Sequence, residues 1–378
     1  MNVHPAAVWG NSRRQRQDIR RCTMIKNITV IGAGSTGHAV AAVMSMRGFQ
    51  VTFHDDQRFS KELDAVKELG FIQLRGKIRG AGTPAKITTD AAEAVRGAEA
   101  IFVHVPSDRH EEIARRIAPH LEDGQHILII PGNLGAFVFR KVFQELNVTA
   151  NVTLTEKEGN FCPCRLSAPA EVTVGLPLNL KGRAASLPAS DTAKVLKALE
   201  GVVEYTANAN VFEGVINAGN VINHIASTVL SAAEIDHTGE KYSLFKYAFT
   251  PSVVHCISKI AAERKAVIEA MGLSQHGDPM GMITKVQHLD EHPEVHVFYE
   301  YMDGPGALDH RYLHEDCGCG GAFALSAAKR LGLEMPVLEA FLGVAGAIND
   351  RDYIRGGRTL ENLGFAAGMT MEEIFKQI

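Results

Sequence analysis

Cysteine is scarce in this sequence, with six among 378 residues. Small secreted domains held by disulfides carry many more per residue, so a disulfide framework is excluded. No secretory apolar segment opens the chain, and a reducing cytoplasmic setting is expected. Basic charge is not in surplus: 39 Lys and Arg stand against 43 Asp and Glu, a formal net charge of −4. Holding phosphate backbones takes an excess of cations, so a general nucleic-acid binder is excluded. Long apolar runs are also missing. The most continuous, Val215–Ala233, contains three Asn and a His, which a membrane span tolerates badly and a buried helix can satisfy. No internal repeat and no low-complexity tract is present.

Hydrophobic residues make up 46% and charged residues 22%, values of a folded globular chain. At 378 residues two domains are expected. Residues 1–23 carry Arg13, Arg14, Arg16, Arg20 and Arg21 without an apolar period, and are read as a disordered tail or a misassigned start rather than a targeting arm. From Ile25 short apolar runs alternate with helical patterns: Ile25–Ile31, Gln50–His54, Ala100–Val105 and His126–Ile130, then Val152–Leu154 and Glu171–Leu176. Such runs predict an α/β domain with a doubly wound parallel sheet over residues 24–185. Strand signals then fade. Ala193–Leu199, Val211–Ile235, Thr250–Met271, Ala322–Leu331 and Pro336–Ile348 predict an all-helical C-terminal domain over 186–378, and Thr370 with Glu373 predicts a capping box opening a last short helix.

Between the first run and its helix lies Gly32-Ala-Gly34-Ser35-Thr36-Gly37. A lone G-x-G-x-x-G is weak evidence, but strand before and helix after are the context that a dinucleotide fingerprint requires. Free N–H groups of that helix N-terminus, with Ser35 and Thr36, would receive the pyrophosphate. Asp55 ends the second strand, where a carboxylate can bind ribose hydroxyls and repel a 2′-phosphate; NAD(H) is favoured. Arg58 could instead accept that phosphate, which keeps NADP(H) open. Pro106, closing the third run, is placed with the cofactor residues.

On the apolar segment Val211–Ser231, Glu213, Asn217, Asn220, His224, Thr228 and Ser231 are polar. At ~100° per residue they form one narrow stripe, and a stripe on a buried helix faces a wet cleft or a ligand. His224 suits proton transfer near neutral pH, with Asn220 one turn before it. Further on, Gly304–Asp316 is dense in Asp309, His310, Arg311, His314, Glu315 and Asp316. On spacing alone this is equally a solvated, salt-bridged segment.

Taken together these segments resemble the opine dehydrogenase family, the octopine/nopaline dehydrogenase group. The resemblance rests on Gly32–Ala39 with Asp55; on Val105-Pro106, His110-Glu-Glu-Ile and Pro131-Gly132-Asn133-x-Gly135; and on Glu158 with Cys164-Arg165. It continues through Asn220-x-x-x-His224, Thr250-Pro251-Ser252-Val253 and Glu263-Arg264. It closes on Gly304-Pro305, His310-Arg311-Tyr312-Leu313-x-Glu315-Asp316 and Gly357-Arg358-Thr359-Leu360-Glu361. It implies a Rossmann domain, a helical domain and NAD(P)H-dependent condensation of a 2-oxo acid with an amino acid in the cleft between them. It further implies a His224–Asp316 dyad, a carboxylate-binding Arg311, and Asn133 and Glu158 on the substrate side. Ile225 stands where the family often has Pro, Cys317-Gly-Cys319 where the stretch is usually apolar with Pro, and Gly159 where a threonine sometimes follows the glutamate. These departures put the usual substrates, such as arginine with pyruvate, in question. A 2-oxo acid reductase and a non-catalytic dinucleotide sensor stand as the other readings. The pairs Cys162-Pro-Cys164 and Cys317-Gly-Cys319 are taken as ordinary thiols without metal. The expected partners are small molecules, with no nucleic acid and no membrane, and a homodimer is left open.

Overall fold

The computed structural model describes residues 25–176, 180–296 and 303–378. The tail expected at 1–23 lies outside the described residues. The first half is built on strands β1 (Asn27–Ile31), β2 (Gln50–His54), β5 (Lys86–Thr88), β6 (Ala100–Val103), β7 (His126–Ile129) and β8 (Thr153–Lys157). Two more, β11 (Lys181–Leu187) and β12 (Glu204–Ala207), extend the sheet. Its order is β12-β11-β8-β7-β6-β1-β2-β5, parallel throughout except where β11 runs against β8. Every residue of β6, Ala-Ile-Phe-Val, is buried. Helices cover both faces, so the strands read as continuous apolar runs rather than alternating ones.

The sheet's order reverses between β1 and β6. In an open α/β sheet a crevice forms there, outside the carboxyl ends of the strands. Helix α1 (Ser35–Met46) starts in that crevice, straight after the glycine turn. Helix α2 (Gly135–Glu145) follows β7, and its first turn is capped by a carboxylate: Glu156 accepts from Leu134 N at 2.9 Å and from Ala136 N at 2.8 Å.

Two expectations are corrected here. The sheet continues past residue 185 to Ala207, so a stretch taken as purely helical contains β12; four residues of mixed polarity at an edge give little apolar signal. In addition, Glu171–Leu176 does not join the main sheet. Strands β3 (Ile72–Gly76), β4 (Gly80–Gly82), β9 (Cys164–Ala168) and β10 (Glu171–Val174) form a second, four-stranded sheet in the order β4-β3-β10-β9. Leu166 N, on β9, donates to Ser35 Oγ at 3.1 Å and lays that sheet across the start of α1.

The second half is helical. The segment Val211–Ile235 is three helices: α3 (Val211–Asn217), α4 (Gly219–Leu230) and α5 (Ala232–Thr238). The first break is at Ala218, whose ψ of 123 is extended, and Arg264 NH1 takes the Ala218 carbonyl at 2.9 Å. Arg264 lies on α6 (Pro251–Ala270), which packs against α4. Helix α7 (Arg311–Glu315) runs into a π-helical turn at Asp316–Gly321 and then α8 (Ala322–Arg330). Such π turns concentrate at functional sites. The capping box at Thr370 and Glu373 is present.

Two side chains from the helical half grip the loop after β6. Glu315 Oε1 accepts from Ser107 N at 2.6 Å, and Arg358 NH2 donates to Ser107 O at 2.7 Å. Arg358 NH1 also donates to Asn133 O. Truncating Arg358 removes the side-chain donor of the Asn133 carbonyl, leaves Ser107 O with the His110 N–H alone, and takes out the cation that ties both loops to the helical half. Arg358→Ala is expected to lower unfolding free energy by about 2–3 kcal/mol in urea titration, with Arg358→Lys recovering part of the loss.

Candidate active site

One large cavity, about 720 Å³, opens at the crevice and runs to the helical half. Gly34, Ser35, Thr36 and Pro106 line one end, and Asn220, His224 and Arg311 line the other. Of the residues singled out from sequence, these seven are brought together. Asp316 stands directly behind His224.

The glycine turn has distinct jobs at each position. A Cβ on Gly32, at φ +114, would lie 2.2 Å from His104 O, and one on Gly37 would lie 1.7 Å from Gly32 O. Both are demanded by packing. A Cβ on Gly34 would meet nothing within 4 Å, so its surface is open toward the cavity. The first turn of α1 carries no acid, and no side chain caps it. An uncapped helix start beside an open glycine fits a pyrophosphate.

Asp55 does not line the cavity. Its side chain is 2% exposed, and Oδ2 accepts from Ala33 N at 2.7 Å while Oδ1 takes Arg109 NH2 at 2.9 Å. It braces the glycine turn from below. Arg58 is held by Asp56 and Glu112, at 2.6 and 2.5 Å. Arg109 and Arg116 are likewise paired with Asp56, at 3.1 and 3.0 Å.

At the other end, His224 Nδ1 lies 2.8 Å from Asp316 Oδ2, each side chain 8% exposed. The carboxylate fixes the proton on Nδ1 and leaves Nε2 for a ligand. Tyr312 stacks flat on the imidazole, ring centroids 3.7 Å apart and planes 15° from parallel. Glu315 holds Arg311 as well as Ser107, with Oε2 3.5 Å from Arg311 NH1. His310 is pushed down to about 4, by burial first and then by the charges of Arg311, His224 and Arg165. Its neutrality leaves the arginines as the fixed charges of this end.

The polar stripe divides at Ala218. Asn220 and His224 face the cavity, whereas Glu213 and Asn217 turn to the segment after α6. Glu213 Oε1 accepts from Ser274 N at 2.9 Å and Asn217 Oδ1 from His276 N at 2.7 Å. Thr228 is fully buried. Glu158 belongs to this buried network, not to the large cavity: its Oε2 lies 2.8 Å from His276 Nδ1 and 3.2 Å from Asn208 Nδ2. Asn133 donates from Nδ2 to Ser107 Oγ at 2.9 Å. With Glu158 it lines a separate small pocket. Cys162 and Cys164 line the large cavity, while Cys317 and Cys319 are buried in the π turn. Among the described residues no three His, Cys, Asp or Glu side chains gather as a metal site, and no helix is long and apolar enough to cross a membrane.

Sequence reasoning assigned no role to His104, Arg165, Tyr312 or Glu315, all of which line the cavity. His104 had one visible signal, a polar residue inside the apolar run Ala100–Val105. Neither ring nitrogen makes a well-formed hydrogen bond among the described residues, the Ile130 backbone being a polar neighbour. A buried imidazole left so at a cavity wall fits a ligand that completes it.

The residues therefore fit a dinucleotide, and comparison with known proteins agrees. Residues 207–349 match the family described as NAD/NADP octopine/nopaline dehydrogenase, alpha-helical domain. Residues 27–132 match the NAD-dependent glycerol-3-phosphate dehydrogenase N-terminus. The opine dehydrogenase of Arthrobacter sp. (strain 1C) is 30% identical over 356 residues, covering 91% of this chain and 96% of that one. This chain belongs to the opine dehydrogenase family. As a family member it is an NAD(P)-dependent oxidoreductase. A solved octopine dehydrogenase with NADH and L-arginine has the same fold, at TM-score 0.66 and 17% identity, covering 92% of this chain and 97% of that one. NADP+-bound yersinopine dehydrogenase is similar at TM-score 0.61 and 13% identity, with 94% and 99% covered.

Burial, with Lys157 adding to it, pushes His104 from 6.5 down to about 3. As pH falls below 6.5 the unfolded chain takes up a proton that the folded one refuses. The stability contribution is thus full above that pH and is lost on acidification, by about 1.4 kcal/mol per pH unit. Urea unfolding of His104→Leu is expected to lose about 1.2 kcal/mol less than the parent between pH 7 and about pH 5.5.

Proposed function

We propose that this member of the family reduces, with a nicotinamide dinucleotide, the imine formed between a 2-oxo acid and the amino group of an amino acid. The 2.8 Å contact of His224 with Asp316, inside a cavity that also takes in the glycine turn and Arg311, carries the reading. The bound dinucleotide supplies the hydride. Nε2 of His224 takes a proton from the substrate ammonium and delivers it to the carbonyl oxygen as the amine attacks, then takes a second from the carbinolamine nitrogen and delivers it to the hydroxyl, which leaves as water; the iminium that remains is the species the hydride reduces. Asp316 stabilises the imidazolium between those transfers, and Tyr312 keeps the ring in plane. Arg311 holds the oxo acid's carboxylate by paired hydrogen bonds that Lys cannot reproduce. Asn220, on the same face of α4, orients the carbonyl.

NAD(H) is the favoured cofactor. Arg109, which binds Asp55, and Arg58 and Arg116, which share Asp56 with it, are each paired with carboxylates and offer a 2′-phosphate little net charge.

The test is NADH oxidation across a matrix of 2-oxo acids and amino acids, with product mass. Oxidation is expected only when both substrates are present, giving a secondary amine dicarboxylate; turnover without the amine would indicate a plain oxo acid reductase. NADH should exceed NADPH in kcat/KM. His224→Ala should lower kcat by about 10²–10⁴-fold, and Asp316→Asn should also lower it substantially, with KM for NADH unchanged in both. Near-native turnover in His224→Ala would remove the proposed roles.

A further inference from the structure

Resting on that reading, we propose that the amine substrate is an α-amino acid with an apolar side chain. Its carboxylate is held by Arg165, and its side chain lies against Leu176, Phe245 and Met282. Three observations lead there.

The first is charge. Among the described residues lining the cavity the single carboxylate is Glu315, and both of its oxygens are engaged, by Ser107 N and by Arg311. Among the described residues no lining acid is left to pair with a guanidinium or ammonium group on a substrate side chain. Glu158, the other acid that the sequence places on the substrate side, is outside this cavity and bonded to His276 and Asn208.

The second is the arginine that remains. Arg165 lines the cavity, and among the described residues it makes one hydrogen bond, from NH1 to Cys164 O at 3.1 Å. With Arg311 on the oxo acid, Arg165 has donors free for the second carboxylate that an amino acid brings. Two guanidiniums also repel a cationic side chain.

The third is the wall. Leu176, Phe245 and Met282 line the cavity and belong to one apolar cluster with Val286, Val295, Phe249 and Leu289. The wall is backed by hydrocarbon. A charged side chain lodged there loses its water and gains no partner, whereas an apolar one gains by burial.

Steady-state kinetics at saturating NADH and pyruvate decide it. Phenylalanine and methionine are expected to exceed arginine and glutamate in kcat/KM by about 10-fold or more. Met282→Glu should raise KM for phenylalanine and narrow its lead over arginine. Arg165→Ala should raise KM for the amino acid rather than for pyruvate. A preference for arginine or glutamate in the parent enzyme overturns the proposal. So does an Arg165→Ala effect confined to pyruvate or NADH. Should no pair of substrates turn over, the condensation reading falls. Calorimetric titration of phenylalanine and of arginine into the enzyme–NADH complex then decides the side-chain preference by itself, and tighter binding of arginine refutes it.

Discussion

Ser107 fixes the two halves of the molecule to each other. Its N–H is taken by Glu315 and its carbonyl by Arg358, both from the helical half. Ser107 follows Pro106 at the crevice where the sheet changes direction. Locking its peptide groups sets where α7 and the π turn lie relative to the cofactor end of the cavity. The next residue after Glu315 is Asp316, which holds His224. Two neighbouring carboxylates thus face opposite ways, one gripping the loop after β6 and the other orienting the imidazole. The distance from the glycine turn to His224 is set through a few bonds rather than through a long flexible path. Positioning of that kind is what proton transfer to a bound substrate requires.

Much of the fold was legible because both-face burial writes itself as apolar runs. β1, β2, β6 and β7 follow from such runs, and the glycines between β1 and α1 follow from two close backbone approaches. The pairing of His224 with Asp316, 92 residues apart, was legible only through family resemblance, since spacing alone could not bring them together. Failures have physical causes too. The break at Ala218 is invisible in a pattern of side-chain polarity because the backbone turns there while Arg264 supplies the missing bond from another helix. The polar stripe therefore mixes two destinations, a ligand cavity for Asn220 and His224 and a buried network for Glu213 and Asn217. The second sheet escaped because its strands are three to five residues long and are joined across a hundred positions.

The same burial that stabilises this site decides its electrostatics. His310 is held neutral by burial and by its cationic neighbours, and Glu315 is spent on the interdomain contact. Among the described residues lining the cavity, the charged and imidazole groups left to face a ligand are Arg165, Arg311, His224 and His104, beside the apolar wall of Leu176, Phe245 and Met282. On the proposed reading, that balance suits the two carboxylates of an oxo acid and an amino acid and disfavours a side-chain cation. Asp55 shows the complementary case at the cofactor end. Its carboxylate is the right group at the end of the right strand, yet its oxygens are occupied by Ala33 N, Asp56 N and Arg109. Residue type and position in a motif establish what chemistry is available; hydrogen-bond partners determine how much of it is left for a ligand. By that criterion Arg165, bonded once to its neighbour's carbonyl, has more to give a substrate than Glu158, whose carboxylate is bonded to His276 and Asn208.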